Sequence, residues 1–149
     1  MPIQENDMKR AVVLGVILSA CFAGSALGDG PQIDRQAMMK NVGAAAGAGA
    51  KIMKGEVPFD LTSGQMILKT MNNAALGFAY MFPPGSETGH DTEASKWIWE
   101  NPAGFDAAVS KFATDTAVTI TDEDSFKAAF TTATRNCGTC HEDFRIKTQ

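Results

Sequence analysis

Five consecutive residues near the C-terminus, Cys137-Gly138-Thr139-Cys140-His141, constrain this chain more than any other stretch. In the spacing C-x-x-C-H, two thiols add across the vinyl groups of a haem to form thioethers, and the adjacent imidazole becomes an axial ligand of the iron. On a helix, positions 137, 140 and 141 stand at i, i+3 and i+4. Both sulfurs and the imidazole then share one face and grip a flat cofactor at three points. Two other readings of the cysteine pair fare worse. A structural zinc site needs four nitrogen or sulfur ligands, and outside this cluster the chain offers only Cys21 and His90. A thioredoxin-like redox pair belongs beside a βαβ pattern, whereas the surroundings here read as helix.

The rest of the chain is of a size and composition to enclose such a group. Its 149 residues make one domain, and 44% apolar with 20% charged residues suits a globular core. The formal charge is −4 and no cluster of five or more Lys/Arg occurs, which argues against nucleic acid and leaves a basic redox protein partner open. Residues 1–28 read as a signal peptide. Lys9 and Arg10 form its positive region, Ala11 to Leu18 an apolar stretch too short to span a bilayer, and Ala26-Leu27-Gly28 a small-x-small cleavage site. The mature domain is then 29–149, with no transmembrane segment, exported to the periplasm. Leu18-Ser19-Ala20-Cys21 also resembles a bacterial lipoprotein box, which would make Cys21 a lipid anchor instead.

Periodicity predicts four helices and no strand, hence an all-α fold. The first runs from about Gln32 to Lys54, with an inner stripe at 32, 35, 39, 42, 46, 49 and 53 that is polar only at its start, at Gln32 and Arg35. Something polar is expected to meet it there. Asp60 caps a second helix reaching about Phe82, whose seam (61, 64, 68, 71, 75, 78, 82) ends in Phe78 and Phe82 before Pro83-Pro84-Gly85. The irregular stretch 86–100 holds His90, Trp97 and Trp99 and is expected to pack as a lid, with both indoles covering core. Asn101-Pro102 opens a third helix to about Val118, with Phe105, Ala108, Phe112 and Thr116 inward. A fourth begins at the acidic cap 121–124 and continues to about Lys147, its seam (126, 130, 133, 137, 140, 144) carrying both motif cysteines. Short connections between such helices argue an antiparallel up-down-up-down four-helix bundle.

Topology also limits what can approach the other side of the iron. Only eight residues follow His141, so a sixth ligand has to come from upstream. In the antiparallel bundle the end of the fourth helix lies level with the start of the first, the end of the second and the start of the third. Met38, Met39, Met81 and His90 are therefore in reach, and Met53 and Met66 are at the far end. Met39 is on the inner stripe, four residues after Arg35, and Met38 is rotated from it by about 100°. Spacing leaves all four candidates open, because a methionine on a seam is more often core filler than ligand.

Three segments together resemble the class II c-type cytochromes, which comprise cytochromes c′ and cytochromes c-556. They are Arg135-Asn136-Cys137-Gly138-Thr139-Cys140-His141-Glu142-Asp143-Phe144-Arg145, Arg35-Gln36-Ala37-Met38-Met39-Lys40, and Lys54-Gly55-Glu56-Val57-Pro58-Phe59-Asp60. The likeness covers essentially the whole mature chain, including Trp97-Ile98-Trp99. It implies a four-helix bundle with one covalently attached haem c near the C-terminus. In the c′ branch an apolar residue follows the early arginine by four positions and leaves the iron five-coordinate; the c-556 branch has methionine there. With Met39 in that place, the resemblance implies His141 and Met39 as axial ligands and Arg35 near a haem propionate.

The function so implied is outer-sphere electron transfer, with Phe78, Phe82, Phe126 and Phe130 expected to bury the ring and raise its potential. A different class of function is a five-coordinate protein that binds nitric oxide or carbon monoxide at the distal face. An enzyme has least support, since no acid-base pair is evident beside Met39 on the first helix. The glycine-alanine face of the first helix (Gly43 to Ala50), with the flank of the second, is a candidate homodimer surface.

Overall fold

The computed structural model describes residues 30–146, so the signal-peptide and Cys21 readings lie outside the described residues. Five helices are present among them: α1 (Pro31–Met53), α2 (Leu61–Phe78), the single turn α3 (Trp97–Glu100), α4 (Pro102–Thr116) and α5 (Glu123–Phe144). The four long ones form the expected bundle, α1 on α2, α2 on α4 and α4 on α5, with α5 closing back onto α1.

Local chemistry sets the helix ends. Pro31 opens α1, where its missing N–H costs nothing. Beyond Met53 the chain turns through Gly55 at φ +72°, a left-handed conformation that glycine adopts without strain. The Asp60 carboxylate accepts from Ser63 N at 2.8 Å and starts α2. Asn101 does the same for α4 through Gly104 N. Asp122 and Ser125 exchange side-chain and backbone bonds in a capping box that starts α5.

α2 ends at Phe78, four residues earlier than its apolar seam suggests. Phe82 precedes Pro83, and the proline ring disfavours helical geometry there. The chain tightens instead into turns, Tyr80 N to Gly77 O and Met81 N to Phe78 O. The carbonyls released from the helix are taken elsewhere, Met81 O by Arg35 and Phe82 O by the Trp99 indole. Within the 86–100 stretch, α3 turns Ile98 inward while Trp97 remains 45% exposed, so only one of the two indoles covers core.

The buried residues fall into two clusters at different heights. One, at the closed end, joins Ile52, Leu68, Met71, Phe126 and Phe130. Here α1 and α5 come so close that a Cβ at Gly49 would lie 2.1 Å from the Phe130 ring. The other gathers Ile98, Phe105, Val109 and Phe144, with Phe78, Phe82 and Trp99 against them. The buried face of α1 departs from the expected stripe along its length, running through Val42, Ala45, Gly49 and Ile52. By the last turn Ile52 is buried and Met53 is 37% exposed.

Candidate haem site

Away from the close contact at Gly49 the helices leave a cavity of about 670 Å³, within the range of small-molecule and cofactor sites. Small residues hold two of its sides apart: Gly43 and Ala46 on α1, Ala74 and Ala75 on α2. Five aromatic rings also line it, Phe78, Phe82, Phe105, Phe112 and Phe144. Of the four rings expected around the cofactor, Phe78 and Phe82 are there, but Phe126 and Phe130 belong to the closed-end cluster. Their places are taken by Phe105 and Phe112 of α4 and Phe144 of α5, all on the inward stripes of their helices.

α5 delivers Cys137, Cys140 and His141 to one wall. Both thiols are free and half-buried. Burial pushes each above the ordinary thiol range, and for Cys140 the neighbouring Cys137 and Asp143 add to the effect. Such thiols are neutral, unlike the depressed, thiolate-forming cysteines of redox pairs. Among the described residues no group of three or more His, Cys, Asp and Glu is placed to hold a metal ion. His141 lies at the rim. Partial burial, and secondarily the Arg145 cation, lower its pKa, with Glu93 opposing. The shift favours the neutral imidazole, the form that has a nitrogen lone pair available.

The four upstream donors separate clearly. Met39 lines the cavity. Met38 is not among the lining residues and packs toward α2 instead, its methyl 3.1 Å from where a Cβ on Gly77 would stand. Neither Met81 nor His90 is among the lining residues; the His90 residue is exposed, in a positive-φ turn, and its carbonyl accepts from Gln36.

Arg35, the polar start of the α1 stripe, is only 4% exposed and also lines the cavity. Its guanidinium donates to Ser86 O and Thr92 Oγ1 at 2.7 Å, to Ser86 Oγ at 3.1 Å and to Met81 O at 3.3 Å. It also packs over Phe82, 4.9 Å from the ring centroid. Burial lowers its pKa, and Glu87 partly offsets this. Its Nε is buried without a hydrogen-bond partner. Such an orphaned donor on a cation suits an anionic group entering the cavity, such as a propionate. Two thiols and an imidazole on one face, an apolar slot and an unpaired cationic donor together fit a haem. Ser86, Thr92 and Glu93 were not identifiable as site residues from sequence, because their positions depend on the path of an irregular segment.

The family described as Cytochrome C′ matches residues 32–145. A cytochrome c-556 of Agrobacterium fabrum is 37% identical over 145 residues, covering 94% of this chain and 98% of the relative. A cytochrome c′ of Rhodopseudomonas palustris is 39% identical over 116 residues, covering 76% of this chain and 80% of the relative. A solved structure of cytochrome c′ from Rhodopseudomonas palustris superposes with a TM-score of 0.75 at 36% identity, covering 80% of this chain and 98% of that one. Relatives of both names stand at similar identity, so branch-specific properties have to be argued from the residues of the site. The bundle, the C-x-x-C-H wall and these matches place the chain in the cytochrome c′/c-556 family, whose members are haem proteins rather than enzymes.

Proposed function

We propose that this chain is a periplasmic electron-transfer cytochrome carrying one haem c, attached through Cys137 and Cys140, with His141 and Met39 as axial ligands. When bound, the haem supplies a one-electron iron couple. The observation that carries this reading is that Met39 alone among the four reachable upstream donors lines the cavity shared with Cys137, Cys140 and His141. The His141 imidazole would offer a nitrogen lone pair from α5, and the Met39 thioether a soft donor from α1. A His/Met pair favours the reduced state and raises the potential. Phe78, Phe82 and Phe105 keep water from the slot, which acts in the same direction because low dielectric disfavours added positive charge. Arg35, held by the 81–92 segment, keeps its Nε without a partner and would offset part of the charge of a haem propionate.

The test is a set of visible spectra on protein made with a haem-ligation system. The parent is expected to be low-spin with a methionine-to-iron charge-transfer band. Met39→Ala is expected to lose that band and become high-spin, and Met38→Ala to keep it. A high-spin parent that binds carbon monoxide rapidly would overturn the carrier reading in favour of the gas-binding one. Unchanged axial ligation in Met39→Ala would remove methionine 39 from the coordination sphere.

A further inference from the structure

The segment 79–96, between α2 and α3, is tied down on two sides of the cavity. Toward α1, Gln32 donates to Thr88 O at 2.9 Å and Arg35 to Ser86 and Thr92. Toward the end of α5, Ile146 N donates to Glu93 O at 2.7 Å and Ser95 N to Phe144 O at 3.0 Å, around the antiparallel bridge Ala94–Arg145. Beside that bridge Glu93 and Arg145 form an ion pair in which Arg145 Nε donates to Oε2 at 2.7 Å and Nη2 donates to the same oxygen. Both side chains line the cavity, and Arg145 follows His141 by four residues. They are 49% and 43% exposed, so the pair contributes little to folding, and the two backbone bonds already hold the segment.

We propose that Glu93 is a positioning residue that holds the Arg145 guanidinium at the rim beside His141 and cancels its field there, so that neither charge alone shifts the midpoint potential of the haem. This rests on the haem reading of the site. A lone cation near the iron disfavours the ferric state and raises the potential, whereas a lone carboxylate lowers it. Joined at hydrogen-bond distance, the two act as a dipole whose field falls off faster than that of either charge. Because both groups reach solvent, salt weakens the effect of an unpaired one.

The experiment measures the midpoint potentials of the holoproteins Glu93→Gln, Arg145→Gln and the double variant against the parent, at low and high salt. Glu93→Gln is expected to shift the potential upward and Arg145→Gln downward. The double variant is expected to return close to the parent, and the single shifts to shrink in high salt. Melting temperatures and amide exchange at Ser95 and Ile146 are expected to stay near those of the parent. If both single variants shift in the same direction, or lose melting temperature without any shift while keeping the low-spin spectrum, the pairing role is overturned and the haem assignment stands. A parent without covalent haem overturns the site reading, and this role with it.

Discussion

Alanine at Gly47 and at Gly49 tests how the bundle closes, because the same substitution two residues apart should have opposite effects. Both positions lie inside α1, where replacing glycine by alanine gains about 0.8–1.0 kcal/mol from backbone propensity. At Gly47 a Cβ would meet nothing within 4 Å, so that gain is kept. At Gly49 it would stand 2.1, 2.5 and 2.8 Å from three atoms of the Phe130 ring. Carbon atoms ordinarily rest about 3.5 Å apart, so the ring or the helix must yield by roughly 1.4 Å. Phe130 is buried and stacked on Phe126 at 5.5 Å, and Phe126 is fully buried against Phe59, so the ring has nowhere to go. Overpacking of this kind costs about 1–3 kcal/mol. Taking the upper end and subtracting the propensity gain leaves a net loss of about 2 kcal/mol. At about 4 °C per kcal/mol, Gly47→Ala should melt about 4 °C above the parent and Gly49→Ala about 8 °C below it. Thermal unfolding followed by far-ultraviolet circular dichroism, at one pH and one oxidation state, measures both. The visible spectrum should not change, because Gly49 lies ten residues along α1 from Met39, about 15 Å. A Gly49→Ala protein melting at or above Gly47→Ala would refute the argument that this close approach seals the end of the bundle.

Two further substitutions probe the polar contacts that frame the cavity. Arg35→Met removes the donor shared by Met81 O, Ser86 and Thr92 and leaves buried acceptors unpaired; a loss of about 1–3 kcal/mol is expected in urea unfolding, with faster amide exchange across residues 86–92. Unchanged exchange there would show that the segment is held by other contacts. Asp115 accepts from Asn136 Nδ2 at 2.8 Å and Lys111 Nζ at 2.6 Å, and these bonds, that from Asn136 first, hold its carboxyl below the usual range. A depressed native pKa contributes stability that is fully present above the unfolded value of about 4 and is lost as pH falls through the native one. Asp115→Ala should therefore be less stable than the parent by about 1–2 kcal/mol at neutral pH, with the deficit vanishing in acid; a deficit independent of pH would contradict the assignment.

Much of the architecture could be read from the residues because each helix announces its own boundaries. Asp60, Asn101 and Asp122 cap from within three residues of their partners, and such short-range chemistry survives whatever the tertiary setting. At the end of α2 two local rules compete. The apolar period runs on through Phe78 and Phe82, yet the proline after Phe82 breaks the helix, and the freed carbonyls find partners 17 and 46 residues away. Which residue of Trp97-Ile98-Trp99 faces inward was beyond reach for a related reason. A single turn of helix has no period to read, so its orientation comes from the segments that dock it, through Ser95 N to Phe144 O above all.

The site divides along the same line between face and height. Period tells which side of a helix a residue occupies, and so it sets Met39 on the inner stripe with Met38 rotated from it and turns Cys137 and Cys140 inward. It says nothing of depth, and so Phe126 and Phe130 were grouped with the cofactor although they share its stripe only. Depth was nevertheless calculable, since seven residues separate Phe130 from Cys137 and a helix rises 1.5 Å per residue, which puts the ring about 10 Å below the attachment point. No comparable arithmetic reaches Glu93, 52 residues from Arg145 in the chain and joined to it through an irregular segment. The charges that would tune such a cofactor are thus the least legible part of the site. Of the pair, Glu93 sits on the one element whose course follows from tertiary contacts rather than from its own residues, and it can be varied there without touching the helices that hold Met39 and His141.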